Sequence, residues 1–162
     1  MPDKPFIPVI QKTSILLIMA FVSIVAFTIA FFSREVIIST TYDMKVNAAT
    51  QMEKAMVMLK NIRMEKGVFV DIENDPNETG LVGTQFSLIT TDEGDLDAKL
   101  TTLDPNFSAA MVELLTRAEL TSGDTIAVML TGSMPGANIA VLIACDALGI
   151  HPIVVTSIGA SQ

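Results

Sequence analysis

A long uncharged stretch near the amino terminus constrains the fold of this chain most. No residue from 13 to 33 is charged, and the apolar run within this stretch is interrupted only by Ser23 and Thr28. A helix rises about 1.5 Å per residue, so this stretch is long enough to cross most of the hydrocarbon layer of a bilayer. The sequence therefore predicts a transmembrane helix over residues 14–33.

The flanks of this stretch favour an uncleaved anchor. A cleaved signal peptide has a shorter apolar core followed by small residues, whereas this core ends in FFSR. Lys4 and Lys12 precede it with only Asp3 against them, which favours a cytoplasmic location for residues 1–13. We therefore expect a single-pass protein of the inner (plasma) membrane, with its carboxyl-terminal domain outside the cytoplasm.

Residues 124–161 show two apolar segments separated by a glycine-rich turn and a helical segment. The run IAVMLT predicts a strand, GSMPGAN predicts a loop, and residues 137–148 predict a helix that ends at Gly149 in a left-handed cap. Residues 153–157 predict a second strand. Such a crossover is right-handed and places its two strands parallel, so we expect an α/β domain with a parallel sheet over residues 67–162.

The loop after the first strand is the predicted ligand site. In open α/β sheets, ligands bind beyond the carboxyl ends of the strands, where backbone amides and a helix amino terminus favour anions. A second turn, SIGAS, follows the second strand and should reach the same edge. The predicted anion-binding residues are Thr131, Gly132, Ser133, Gly136, Asn138, Ser157, Gly159 and Ser161.

The loop is only partly specific for function. It matches neither GxGxxG, GxxxxGK[ST] nor GxSxG, and a plain connection between strand and helix stays an alternative. Ser133 is the candidate nucleophile, but His151 is the single histidine, so the sequence does not favour a serine triad. No motif calls for a cofactor.

Charge and cysteine content exclude several classes of protein. Leaving out Lys4, Lys12 and Asp3, the chain has eight basic and seventeen acidic residues, a formal charge of −9, so nucleic acid is a poor partner. Cys145 lies in an apolar run and is expected in the core, and a single cysteine forms no internal disulfide. One Cys and one His do not make a zinc site. The acidic residues between 71 and 97 lack EF-hand spacing and are expected to be a solvated surface rather than a metal site.

Residues 34–66 form the predicted membrane-proximal region. A helix is expected from Tyr42 to Lys66, and it should be a core or membrane-proximal helix rather than a long coiled coil, because Arg63 falls on the apolar seam. Residues 68–72 predict a strand. A further helix over residues 108–119 should pack on the sheet. The expected buried residues of the two helices are Val46, Ala49, Met52, Met56, Leu59 and Ile62, and Ala110, Met111, Leu114 and Leu115.

Three segments resemble a known family. NDPNETGLVG (residues 74–83), ITTDEGDLDAKLTTLDPNF (89–107) and GDTIAVMLTGSMPGANIAVLIACDALGIHPIVVTSIGAS (123–161) are similar to the poly-gamma-glutamate system protein family. These are bacterial membrane-anchored proteins associated with the synthesis and export of that envelope polymer. The resemblance implies the membrane, the synthase and export proteins, and the anionic polymer as partners. Similar proteins continue past residue 162, so we expect the α/β domain here to be carboxyl-terminally truncated and its sheet incomplete.

Two classes of function follow from these observations. The first is a non-catalytic accessory component that contacts the synthase complex or the polymer through its external domain. The alternative is a hydrolase or transferase that acts on a gamma-glutamyl polymer or another anionic ligand at the TGSMPG loop, with Ser133 as nucleophile or donor. A sensor is a weaker third class, because the short amino-terminal segment holds no output domain.

Overall fold

The computed structural model describes residues 12–35 and 37–161, and the chain divides into two units, Met1–Ile38 and Ser39–Gln162. The first unit contains α1 (Thr13–Phe32), which is long and apolar enough to cross a membrane. The Thr28 hydroxyl donates to the carbonyl oxygen of Ile24 at 2.9 Å, so this polar group is satisfied within the helix. The predicted apolar helix is confirmed. Lys4, on which the predicted orientation of this helix partly depends, lies outside the described residues.

The second unit combines helices with two small parallel sheets. This confirms the α/β class that the sequence predicts. The elements in chain order are α2 (Tyr42–Glu65), β1 (Thr90–Asp92), α3 (Leu96–Thr101), α4 (Asn106–Arg117), β2 (Thr125–Thr131), α5 (Pro135–Leu148), β3 (His151–Ser157) and β4 (Ala160–Ser161).

The β2–α5–β3 crossover forms as predicted. The two strands are parallel and in continuous register, from Thr125 opposite His151 to Thr131 opposite Ser157. Pro135 occupies the first turn of α5, where its missing N–H costs nothing, and Gly149 ends the helix with φ of 69°. Helix α5 contacts both strands on one face of this sheet.

The opposite face of the β2–β3 sheet is apolar and open. Met129, Ile153 and Val155 are 87%, 62% and 63% exposed. Side chains alternate along a strand, so these residues project from the face that α5 does not cover. Two parallel strands thus keep one solvent-facing apolar surface among the described residues.

The second sheet, β1–β4, and the residues that precede it differ from the predictions. β4 pairs parallel with β1, with Ala160 opposite Thr90, so the SIGAS turn ends in a short strand. The predicted strand over residues 68–72 is wrong, because residues 68–71 form no regular element and a turn begins at residue 72. Asp71 accepts hydrogen bonds from the backbone of Glu73 and from the Asn74 side chain, and such local bonds compete with strand pairing.

Asp75 organises the next turn from a buried position. Its side chain is fully buried and accepts the backbone N–H of Thr79 at 3.0 Å and of Gly80 at 2.6 Å. Backbone amides thereby satisfy a carboxylate that would otherwise be costly to bury. In this acidic segment, some carboxylates are therefore exposed to solvent, whereas Asp71 and Asp75 accept hydrogen bonds that stabilise its turns.

Three helices, α2, α4 and α5, enclose the core. Met52 and Met56 are buried as predicted, together with Ala48, whereas Val46 and Ile62 are exposed. The buried side chains form two clusters. These are Met52, Met56, Val82, Leu103 and Ala140, and Ala48, Val112 and Ala144.

The prediction that α4 packs on the sheet is wrong. Helix α4 contacts α2 and α5, and it buries Ser108 and Val112 rather than Leu114, which is 56% exposed. The contact explains the shift, because the small Ala48 and Ala144 lie opposite Val112 and let the helices approach closely. Cys145 is buried, as predicted.

We expect Gly136→Ala to destabilise the second unit by about 1–3 kcal/mol, because a Cβ at this position would lie 2.3 Å from the Thr102 carbonyl oxygen. Gly83→Ala is the matched control, since nothing lies within 4 Å of a Cβ there and its backbone is unstrained. Chemical unfolding of the full chain in detergent measures both. Equal stability of the two variants would contradict the close contact.

Candidate functional site

The carboxyl edge of the β2–β3 sheet brings the two predicted turns together. The Thr131 hydroxyl donates to the carbonyl oxygen of Gly159 at 3.4 Å. The same hydroxyl accepts the N–H of Ser133 at 3.3 Å. Asn138 donates from its amide to the carbonyl oxygen of Thr131 at 2.6 Å, so its side chain fastens α5 to the end of β2. These polar groups are used to build the edge.

The Ser133 hydroxyl ties this loop to β4. Its oxygen accepts the backbone N–H of Ser161 at 2.7 Å and the Thr131 hydroxyl at 3.2 Å. His151 is at the start of β3, a full seven-residue strand away, which is about 20 Å at 3.3 Å per residue. The structure thus brings no histidine to Ser133, in agreement with the sequence argument against a triad.

The predicted glycines lie at close contacts within the protein. A Cβ on Gly132 would lie 3.0 Å from the carbonyl oxygen of Ile158, and one on Gly159 would lie 3.0 Å from Thr91. Gly136 is buried against Thr102, as described above. The third predicted serine, Ser157, is exposed at the end of β3. These residues shape the edge of the sheet.

A small cavity of about 240 Å³ opens beside this edge. Pockets for drug-sized ligands are usually larger, about 300–1,000 Å³, so this cavity suits a small ion or one side chain of a larger ligand. Two predicted site residues, Gly132 and Ser161, line it. Its full lining is Arg63, Leu81, Val82, Gly83, Thr84, Ser87, Ile89, Thr90, Lys99, Gly132, Pro135, Ala160 and Ser161.

Lys99 is the most unusual side chain in this cavity. It is only 7% exposed, and its ammonium donates to the carbonyl oxygen of Ser161 at 3.0 Å. This is the one hydrogen bond that the Lys99 ammonium makes to the described part of the chain, although an ammonium has three donors. Burial lowers the pKa of Lys99, because the charged form loses hydration.

Arg63 supplies a second cation from α2. No acidic residue appears among the described residues that line the cavity, although the chain as a whole has 18 acidic and 10 basic residues. Two cations that share a small cavity repel each other unless an anion lies between them. The hydroxyl-bearing residues Thr84, Ser87 and Thr90 complete a polar rim. The arrangement suits a carboxylate or a similar anion.

A metal ion fits this arrangement poorly. Within residues 12–35 and 37–161, no group of three or more His, Cys, Asp or Glu side chains could hold one. The acidic residues lie instead in turns and on the surface, where Asp71 and Asp75 accept hydrogen bonds from their own loop.

Neither Lys99 nor Arg63 is among the predicted site residues, although the sequence carries a signal for each. Lys99 falls at helical spacing with Leu96, Leu100 and Leu103. Lysine is rarely buried, so it is unusual on such an apolar face. Arg63 interrupts the apolar seam of α2, and the sequence argument treated it only as the end of a heptad pattern.

We expect Lys99→Met to leave the free energy of unfolding unchanged or to raise it by about 1 kcal/mol at neutral pH. The thioether side chain retains the packing and removes a buried charge, while losing one hydrogen bond worth about 1 kcal/mol. The unfolded chain holds the Lys99 proton to higher pH than the folded chain, so wild-type stability should gain on the variant as pH rises towards the usual lysine range.

Lys45→Met is the control for this measurement. Lys45 pairs with Glu113, and this partner lowers the pKa of the Glu113 carboxyl, so its removal should destabilise the protein. Thermal unfolding of both variants across pH distinguishes a lysine kept for the fold from one kept for a ligand. A large loss of stability in Lys99→Met would assign Lys99 a structural part instead.

The chain was also compared with known proteins. No protein-family model, curated protein or solved structure matches it. A proposal for the function therefore depends on the chemistry of the residues that line the Lys99 cavity.

Proposed function

We propose that this chain is a membrane-anchored accessory component of poly-gamma-glutamate synthesis or export, and that it binds a carboxylate of the polymer in the Lys99 cavity. The observation that carries the ligand chemistry is the buried Lys99, which lines the same cavity as Arg63, with no acidic residue among the described lining residues. Binding, rather than turnover, is the activity that this arrangement supports.

The energetic argument starts from the cost of burying Lys99. Its lowered pKa records that cost, and a bound carboxylate would offset it through charge-assisted hydrogen bonds, which are about twice as strong as neutral ones. Arg63 can add a planar, two-pronged contact to the same anion. The empty cavity disfavours the charged form of Lys99, so a bound anion has a large unfavourable term to offset.

The acidic surface determines how much of the polymer can be held. A formal charge of −9 beyond the first twelve residues repels a polyanion, but charges farther than about 8 Å are screened at physiological ionic strength. Contacts inside the cavity are screened much less. We therefore propose that one gamma-glutamyl unit or a chain end is bound, while the rest of the polymer stays in solvent or on partner proteins.

The location and the pathway have separate supports. The apolar helix α1 supports an anchor in the inner (plasma) membrane, with residues 1–13 in the cytoplasm and the second unit outside. The family resemblance of residues 74–83, 89–107 and 123–161 supports the polymer pathway and partners among the synthase and export proteins.

The test is calorimetry of the full chain in detergent with short gamma-linked glutamate oligomers. We expect Lys99→Met and Arg63→Met each to weaken binding about tenfold or more, because each removes a charge-assisted contact in a site with little solvent. Arg117→Met is the matched control, since Arg117 is exposed, pairs with Glu113 and lies outside the cavity lining. Oligomer length, followed in the same samples, should not change.

Three results would contradict this function. Equal losses of affinity in Arg117→Met would indicate a diffuse charge effect, and unchanged affinity in both cavity variants would place binding elsewhere. Shortened oligomers, with shortening abolished by Ser133→Ala, would favour the hydrolase alternative.

Binding should also depend on pH in a direction that Lys99 determines. The bound anion favours the charged amine, so affinity should fall as pH rises through the lowered pKa of Lys99. Lys99→Arg keeps its charge throughout this range and should remove that fall. A pH profile unchanged by Lys99→Arg would show that another group titrates.

A further inference from the structure

The outward face of α2 carries a row of side chains that the fold leaves in solvent. Lys54, Met58, Asn61 and Glu65 lie within about 60° of one another around the helix axis, at 100° per residue. This row is opposite the buried Ala48, Met52 and Met56. We call Lys54, Met58, Asn61 and Glu65 the α2 stripe.

Apolar side chains flank the α2 stripe. Val57 and Ile62 are 56% and 40% exposed, and Met58 within the stripe is 58% exposed. One shallow groove is lined by these three residues together with Glu53, Lys54, Asn61 and Glu65. A helix with a second apolar face of this kind is typical of one that packs against another helix. The remaining question is which helix fits it.

The charges of the α2 stripe indicate which helix would pack against it. Lys54 and Glu65 are equally distant from its centre, between Met58 and Asn61. In the part of the chain that the structure describes, neither forms an ion pair. When the stripe meets a copy of itself in antiparallel orientation, each Lys54 faces Glu65 of the second copy and each Met58 faces Asn61.

A parallel pair of the same helices is disfavoured. It would place Lys54 against Lys54 and Glu65 against Glu65, and like charges in a helix seam repel. Antiparallel pairing converts both repulsions into attractions. The charge pattern is therefore complementary to a second copy of itself in the antiparallel orientation and not in the parallel one.

We propose that two copies of this protein associate through the α2 stripe as an antiparallel helix pair. This inference goes beyond the proposed anion-binding function, since no stripe residue lines the Lys99 cavity. One helix pair buries a small area, so the association is weak in solution. With the anchoring proposed above, two copies in one membrane meet at high effective concentration, which compensates for the small interface.

The pair is tested by charge exchange in the full chain, purified in detergent and studied by sedimentation or by energy transfer between labelled copies. We expect Lys54→Glu alone and Glu65→Lys alone each to weaken self-association about tenfold, because two attractions become repulsions. The double variant Lys54→Glu with Glu65→Lys should regain wild-type affinity within about twofold. Since these side chains are exposed, circular dichroism should show an unchanged fold.

Lys66→Glu is the control, since it makes the same charge change at the exposed residue that follows α2, about 100° around the helix axis from Glu65. It should leave association within about twofold. Wild-type protein that stays monomeric would overturn the proposal. A double variant that remains as weak as the single variants would also overturn it, because a parallel pair or a different surface gives no charge rescue.

A second measurement determines orientation directly. A chain carrying Lys54→Cys, mixed with one carrying Glu65→Cys, should be linked by a short bifunctional maleimide, while either chain alone should not. In an antiparallel pair, positions 54 and 54 are about 16 Å apart along the axis at 1.5 Å per residue. Linkage of Lys54→Cys with itself would overturn the antiparallel arrangement. Native Cys145 is buried and stays in every variant.

Discussion

The backbone of Ser161 connects the parts of the structure on which the candidate site depends. Its N–H donates to Ser133 in the loop after β2, and its carbonyl oxygen accepts from Lys99 in α3. These two bonds hold β4 beside the edge of the β2–β3 sheet and direct a cation towards the cavity. Because Lys99 is buried, the bond to Ser161 is also what partly compensates its lost hydration.

The site differs in kind from a glycine-rich anion loop. In such a loop, backbone amides and a helix amino terminus face the ligand. Here Thr131 and Ser133 of the TGSMPG loop and Asn138 of α5 form hydrogen bonds within the fold, and Gly136 allows α5 to contact Thr102. Positive charge comes instead from side chains on two other helices. The loop positions the site, and Lys99 and Arg63 supply its chemistry.

Local signals accounted for much of the fold. Gly149 ended α5, the IAVMLT and PIVVTS runs paired in parallel, and Met52 and Met56 turned inward. Prediction failed where a competing interaction was stronger than the pattern. Residues 68–72 form no strand, because Asp71 accepts hydrogen bonds from the Glu73 backbone and the Asn74 side chain. Helix α4 buries Val112, because small residues on its neighbours leave room for this side chain. The burial of Val112 cannot be read from the α4 segment itself, because it depends on residues of α2 and α5.

The sequence by itself determined the apolar helix, the parallel crossover and the acidic character of the chain. These follow from composition, periodicity and turn chemistry, which act over a few residues. Only the tertiary structure brought Lys99, Arg63 and Ser161 to one cavity and left Lys54 and Glu65 in solvent. Their separation along the chain is too large for any local pattern, since packing decides which side chains share a space and which stay exposed.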